Sequence, residues 1–265
     1  CLGKTFAWPG GRHGCYRGSK AATAAVATMT ASHRVLGTWT RSIDRYIAMT
    51  DFAHAKFVEG GLPAEKLAMK PNFLADDPGA GAGEGGYALF VGRLSPEKGI
   101  DLILDAWTQH APPMPLRIAG DGPRAEAVRA AADAHPSITW VGHQTREGVM
   151  QLMSDAALLV FSSECYEGGT PMTLIESMAN GTPVVASDLG GTKSMVVEDV
   201  VGTRFAPGDP AALAAAVKRL AEDPAHLGAL RKTARAQYDA LYTSEANYLR
   251  LVEIYDAALA TRRAA

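Results

Sequence analysis

Glu167-Gly-Gly-Thr-Pro-Met-Thr-Leu-Ile-Glu176-Ser-Met-Ala-Asn-Gly-Thr-Pro-Val-Val-Ala-Ser-Asp-Leu-Gly-Gly191 decides the reading of this chain. With the apolar run before it, the stretch reads as strand, glycine loop, helix, turn and strand. One carboxylate falls in the loop and one on the helix. A helix that opens on a glycine loop offers free N–H groups to an anion. Carboxylates beside it accept hydrogen bonds from hydroxyls. Phosphate and hydroxyls together describe a nucleotide-activated sugar.

Positive charge comes from a second segment, Tyr87-Ala-Leu-Phe-Val-Gly-Arg-Leu-Ser-Pro-Glu-Lys-Gly99. It reads as a buried strand ending in a loop with Arg93 and Lys98. Ile100, Ile103, Leu104 and Trp107 then follow helical spacing. A guanidinium and an ammonium at a strand's carboxyl end can clamp a diphosphate. The plainer alternative is a surface ion pair of either cation with Glu97.

Working outward from these segments, strands are predicted at 87–92, 115–119, 138–141, 157–161, 183–186 and 203–206. Helices are predicted at 100–110, 123–134, 146–153, 171–180, 192–198 and 210–222. Such alternation means a parallel sheet with helices on both faces, binding ligands at the strands' carboxyl ends. Two more helices, about 225–241 and 244–260, follow the sheet. Upstream, a helix is expected from about Ser19 to Leu36 and a strand at Arg45–Thr50. A helix capped by Thr50 should run to Glu59. Residues 64–71 read as a linker and 76–86, rich in Gly, Ala and Asp, as a flexible connection.

These segments resemble the retaining nucleotide-sugar glycosyltransferases of the GT-B fold, family 4 (glycosyl transferases group 1). Five ordered motifs carry the resemblance: Gly92-Arg93…Glu97-Lys98-Gly99; Gly120-Asp-Gly122; Val141-Gly142-His143; Glu167…Glu176; and Asn180 to Gly191. It runs from about Asp44 to the C-terminus. One departure stands out. Eight residues separate Glu167 from Glu176, where the family has seven, so the Gly168-Gly169-Thr170 loop is one residue longer than the family's. A bulge ahead of Pro171 would absorb the extra residue.

The resemblance implies an α/β, Rossmann-like GT-B C-terminal domain, with the N-terminal domain largely absent. Residues 1–71 would be a remnant of that acceptor-side domain with its linker. Residues 72–245 would bind the donor, and 246–265 would form a helix crossing back. Arg93, Lys98 and Glu167 are the implied catalytic residues. The two cations would offset charge on the leaving diphosphate, and Glu167 would hold a sugar hydroxyl. Glu176 would accept from both ribose hydroxyls. Gly92, Gly142, His143, Gly168, Gly169, Thr170, Pro171 and Leu174 complete the implied donor-binding set, with His143 acting through its main chain. No Asp-x-Asp stands in a strand-end loop, so neither metal nor other cofactor is expected, and nothing marks Lys98 as a Schiff-base lysine. The implied partners are a nucleotide-sugar and a carbohydrate or lipid-linked acceptor. A GT-B nucleotide-sugar epimerase and a non-catalytic nucleotide-binding module are the alternatives.

Composition narrows the classes further. The chain has 265 residues, 47% apolar content and a net charge of −2, which does not describe a general nucleic-acid binder. Residues 1–45 carry seven Lys/Arg against one acid, Asp44. That basic lead is expected to face an anionic membrane surface or acceptor, or to be a solvated helix face. The expected location is cytoplasmic, with peripheral contact at the inner membrane face. Three cysteines, Cys1, Cys15 and Cys165, do not make a disulfide scaffold. Cys1 and Cys15 either pair, belong to a larger cluster, or have no special role.

Overall fold

The computed structural model describes residues 1–263 apart from 3 and 5. The chain divides into two compact units, Cys1–Lys70 with Leu249–Ala265, and Pro71–Tyr248.

The first unit holds helices α1 (Trp8–His13), α2 (Lys20–Val35), α3 (Thr38–Arg41) and α4 (Asp51–Glu59). Ser19 starts α2 by accepting from the Ala22 N–H at 3.2 Å. Thr50 starts α4 in the same way, accepting from Ala53 at 3.1 Å. Strand β1 (Tyr46–Ala48) pairs in parallel with β2 (Leu67–Met69). The expectation of a linker at 64–71 is therefore corrected. Leu67–Met69 is a strand after a 3₁₀ turn at Ala64–Lys66. Three residues are too short to display alternation, and the partner lies a whole helix away. Helix α12 (Ser244–Arg263) ends the described chain. Arg45 donates to the Thr261 hydroxyl at 2.8 Å, and Arg262 pairs with Asp44 at 2.9 Å.

The second unit is the predicted parallel sheet. Its strands are β3 (Ala88–Val91), β4 (Leu116–Ala119), β5 (Ile138–Gly142), β6 (Leu158–Phe161), β7 (Val184–Ser187) and β8 (Gly202–Phe205). They lie in the order β5-β4-β3-β6-β7-β8, all parallel. Period two divides the central strands β3, β6 and β7 between two cores. Ala88, Phe90, Leu158 and Val160 pack under α5 (Ile100–Gln109), α6 (Ala125–Ala134) and α10 (Pro210–Ala221). Leu89, Leu159 and Phe161 face the opposite core with α8 (Met172–Ala179), α11 (Pro224–Leu241) and Met153 of α7 (Arg146–Asp155). Strands β6 and β7 are buried throughout. Both faces must be covered, which is why they read as apolar runs. The helix predicted at 192–198 closes early, as α9 (Thr192–Met195).

Residues 76–86 contain no helix or strand, yet they are a packed strap and not a flexible connection. The Gly81, Gly83 and Gly85 amides donate to Asn180, Ser154 and Asp155 carbonyls at 2.8–2.9 Å. Asp77 pairs with Arg235 at 2.5 Å. A Cβ at Gly81 would stand 2.4 Å from the Ser154 carbonyl oxygen. Gly81 and Gly85 are present because the backbone there lies against α7.

Candidate functional site

The sheet's order reverses between β3 and β6. Chain leaves β3 for β4 and β5 on one side, and returns through β6 to β7 and β8 on the other. The loops after β3 and β6 therefore leave the sheet at its reversal point, the edge where ligands bind in sheets of this kind. The first loop carries Arg93 and Lys98; the second carries Glu167.

These loops are joined to each other. The Glu164 N–H donates to the Glu97 carbonyl at 3.0 Å. The Ser162 hydroxyl donates to the Lys98 carbonyl at 2.9 Å. Gly99 has φ +70°, and a Cβ there would stand 2.0 Å from the Ser162 carbonyl oxygen. Only glycine allows both the left-handed backbone and that approach. Across the seam, Lys98 Nζ pairs with Glu167 Oε1 at 2.7 Å, with the Glu167 side chain 16% exposed. The surface pair with Glu97 is thus not the one formed. The Ser163 hydroxyl donates to the same Glu167 oxygen at 2.5 Å.

Arg93 is exposed, and no described carboxylate lies within ion-pair distance of it. Its loop is backed by the Gly120-Asp-Gly122 turn. Leu94 N–H donates to the Asp121 carbonyl, and Arg124 N–H to that of Leu94, both at 2.9 Å. A Cβ at Gly120 would meet the Gly92 carbonyl oxygen at 1.9 Å. Beside this seam lies a cavity of about 330 Å³, lined among others by Gly92, Arg93, Gly120, His143 and Gln144. Gly142 accepts from the Gly120 N–H at 2.8 Å, which holds the β5 end against the β4 turn.

Glu176 lies half-buried on α8. Burial pushes its carboxyl above the usual carboxylate range, and the opposing charge of Arg146 offsets only part of this. A half-buried carboxylate with no hydrogen bond from a described side chain is poised to receive one. Pro171 is the helix N-cap, and the Leu174 N–H is already bonded to the Pro171 carbonyl at 3.2 Å. Gly168, with Gly169, lies in the irregular loop, and a Cβ at Gly168 would meet nothing within 4 Å. Thr170 is buried. Its carbonyl accepts from the Asn72 side chain at 2.9 Å, so Asn72 pins the loop just before α8. Leu174, also in the implied donor-binding set, follows in α8. Its side chain has no exposed surface and packs in the core beneath the helix.

Ser162, Ser163 and Asn72 were not singled out by the sequence. Small polar residues next to strands are common, and only the fold shows which carbonyl or carboxylate they reach. Cys1, Cys15 and Cys165 are all free thiols, so the pairing of Cys1 with Cys15 is not formed. Burial, and next the charge of Glu167, push the Cys165 thiol up. Among the described residues no three His, Cys, Asp or Glu side chains converge as a metal-ligand set.

A larger cavity, about 790 Å³, lies along β8 and α10 and includes Asp188, Glu198, Arg204 and Arg219. Its charges already face one another: Arg219 lies 3.1 Å from Glu198, and Arg204 lies 3.6 Å from Asp188. It is also away from the reversal point, so the smaller cavity is the better candidate.

Fold and site together define a doubly wound α/β domain with cations and carboxylates gathered at the crevice where strand order reverses. The sequence signature of glycosyl transferases group 1 matches residues 78–237, and the chain belongs to that family. It is 35% identical over 170 residues to glycogen synthase of Mycobacterium tuberculosis, a match covering 62% of this chain and 39% of that protein. It is 30% identical over 208 residues to phosphatidyl-myo-inositol mannosyltransferase of Mycobacterium leprae, covering 73% of this chain and 54% of that one. The chain therefore spans about two fifths to one half of these relatives. The crystal structure of Anabaena HepE in complex with UDP and glucose superposes with a TM-score of 0.71 at 19% identity. That match covers 90% of this chain and 76% of HepE and shows the shared fold.

Proposed function

We propose that the chain carries the donor-binding part of a glycosyltransferase that moves a sugar from a nucleotide-sugar to a carbohydrate or lipid-linked acceptor, with retention of anomeric configuration. The observation that carries this reading is the Lys98–Glu167 pair, 2.7 Å apart, at the reversal point beside the cavity that Arg93 lines.

In this reading the base lies in the cavity near Gly142 and His143, and Glu176 takes the ribose hydroxyls. Arg93 and Lys98 meet the diphosphate. Negative charge grows there as the glycosidic bond breaks, so fixed cations stabilise the transition state more than the ground state. Glu167 takes a sugar hydroxyl. The cations, without a metal, are assigned the leaving-group role. Residues 1–71 belong in this reading to the acceptor-side domain and its linker. The glycogen synthase and mannosyltransferase relatives support the activity, and the HepE complex supports a nucleotide ligand. The reading extends to a cytoplasmic protein lying at the inner membrane face. Exposed Trp8 and Tyr16 within the basic lead support that placement, and no helix among the described residues is long and apolar enough to cross a membrane.

The test is a donor screen on the full-length protein by thermal shift, followed by NMR of the product's anomeric proton with and without EDTA. The expected result is one preferred nucleotide-sugar, a retained anomer and turnover that survives the chelator. An inverted anomer, or activity lost to EDTA and restored by magnesium or manganese, would contradict the corresponding part of the reading.

A further inference from the structure

We infer that Ser163 is a positioning residue that holds Glu167 for the donor's sugar once the diphosphate has taken Lys98; this rests on the donor-site reading above. Oε1 of Glu167 receives two donors, Lys98 Nζ at 2.7 Å and the Ser163 hydroxyl at 2.5 Å. The two differ in how firmly they are held. Lys98 is a flexible side chain, 34% exposed, on the opposite loop. Ser163 is 3% exposed, and its carbonyl accepts from the Ser187 hydroxyl at 2.7 Å. Ser187, at the end of β7, is itself 1% exposed. Ser163 is therefore fixed to the sheet, while Lys98 is free to leave.

A diphosphate entering the crevice competes with Glu167 for the Lys98 ammonium. Phosphate offers more negative charge and more acceptor oxygens than one carboxylate. When Lys98 turns to it, Glu167 loses one of its two donors. The loop carrying Glu167 continues into Gly168 and Gly169, which do nothing to hold the carboxylate by packing. Ser163 is then the tether that remains. With Oε1 held, Oε2 is left to accept from a sugar hydroxyl. One residue thereby couples the reading of the diphosphate to the reading of the sugar, and it also gives the lengthened loop a fixed point.

The test uses the chain 1–265 and calorimetry. UDP, GDP, ADP and dTDP are compared with their glucose, galactose, mannose and N-acetylglucosamine donors. Wild type, Ser163→Ala, Ser163→Thr and Glu176→Ala are titrated. For the base that binds, Ser163→Ala should leave the bare diphosphate within about twofold and weaken the sugar-bearing donor about ten- to hundredfold, as expected for one lost hydrogen bond to a charged group. Ser163→Thr, which keeps the hydroxyl, should restore the donor. If Ser163→Ala does not fold, Ser163→Cys, with similar volume and a much weaker donor, carries the same comparison. Equal weakening of both ligands, or of neither, while Glu176→Ala still weakens both, would overturn this inference alone. Failure of wild type to bind any of the four diphosphates would overturn the donor-site reading and this inference with it.

Discussion

Glu176 and Glu167 sit nine positions apart and do different work because their surroundings differ. Glu176 is raised by burial and accepts no hydrogen bond from a described side chain; Glu167 already shares a lysine and a serine. Glu176→Ala should weaken bare nucleotide and nucleotide-sugar alike, by roughly 1.5–3 kcal/mol each, because a ribose contact is common to both. Glu167→Ala should act more on the sugar-bearing donor. Calorimetry with both ligands separates the two, and unchanged diphosphate affinity for Glu176→Ala would remove the ribose assignment. The raised carboxyl also predicts a stability effect. Between the ordinary carboxylate range and its raised value, the folded state holds more protons than the unfolded one, so stability falls as pH rises through that window and stays lower above it. Glu176→Gln should therefore melt a few degrees higher than wild type at pH 7–8, roughly 1–4 °C. The gain should fade below about pH 4. Scanning calorimetry without ligand, at both pH values, reads it. A variant that is no more stable at neutral pH would mean that the burial of this carboxylate costs nothing.

At the scale of elements, the site is built by backbone approaches that only glycine permits. Gly99 lets the Lys98 loop lie on β6, with φ +70° and the Ser162 carbonyl 2.0 Å from where a Cβ would stand. Gly86 has a similar φ, +66°, but nothing within 4 Å. Gly99→Ala should cost roughly 2–4 kcal/mol in chemical denaturation and displace Lys98, while Gly86→Ala should cost only about 1–2 kcal/mol from the left-handed backbone. Similar costs would show that the loop seam is not tight. This also explains what was legible beforehand. Strands β3, β6 and β7 could be read because each is an apolar run followed by a glycine or polar turn, and their residues have to be so because helices cover both faces. The strap at 76–86 was misread because a glycine chosen for close approach and one chosen for freedom look the same in a sequence. Strand β2 was missed because its partner is set by the fold and not by its own three residues. Leu174 belongs to the same motif, and only the fold shows that its side chain packs in the core beneath α8. Ser163 and Asn72 were invisible because a hydroxyl or amide declares its partner only once two loops have met.

At the scale of the molecule, binding and transfer should come apart. The chain spans about two fifths to one half of its curated relatives, and the second unit alone contains every residue assigned here to the donor. Chain 1–265 should hold a nucleoside diphosphate weakly and should not transfer sugar, because alignment with an acceptor and exclusion of water need the closed cleft of the full-length protein. Acceptor-dependent transfer by this chain alone, followed by product chromatography, would contradict the division of labour.

The central claim is the location of the donor crevice, and the most direct measurement is an amide chemical-shift map of ¹⁵N-labelled chain 1–265 titrated with the diphosphate it binds. The account predicts that the moving amides cluster in 92–99, 142–143 and 163–176, on the loops that flank the reversal of the sheet. Shifts centred instead on Asp188, Glu198, Arg204 and Arg219, beside the larger cavity, would contradict it.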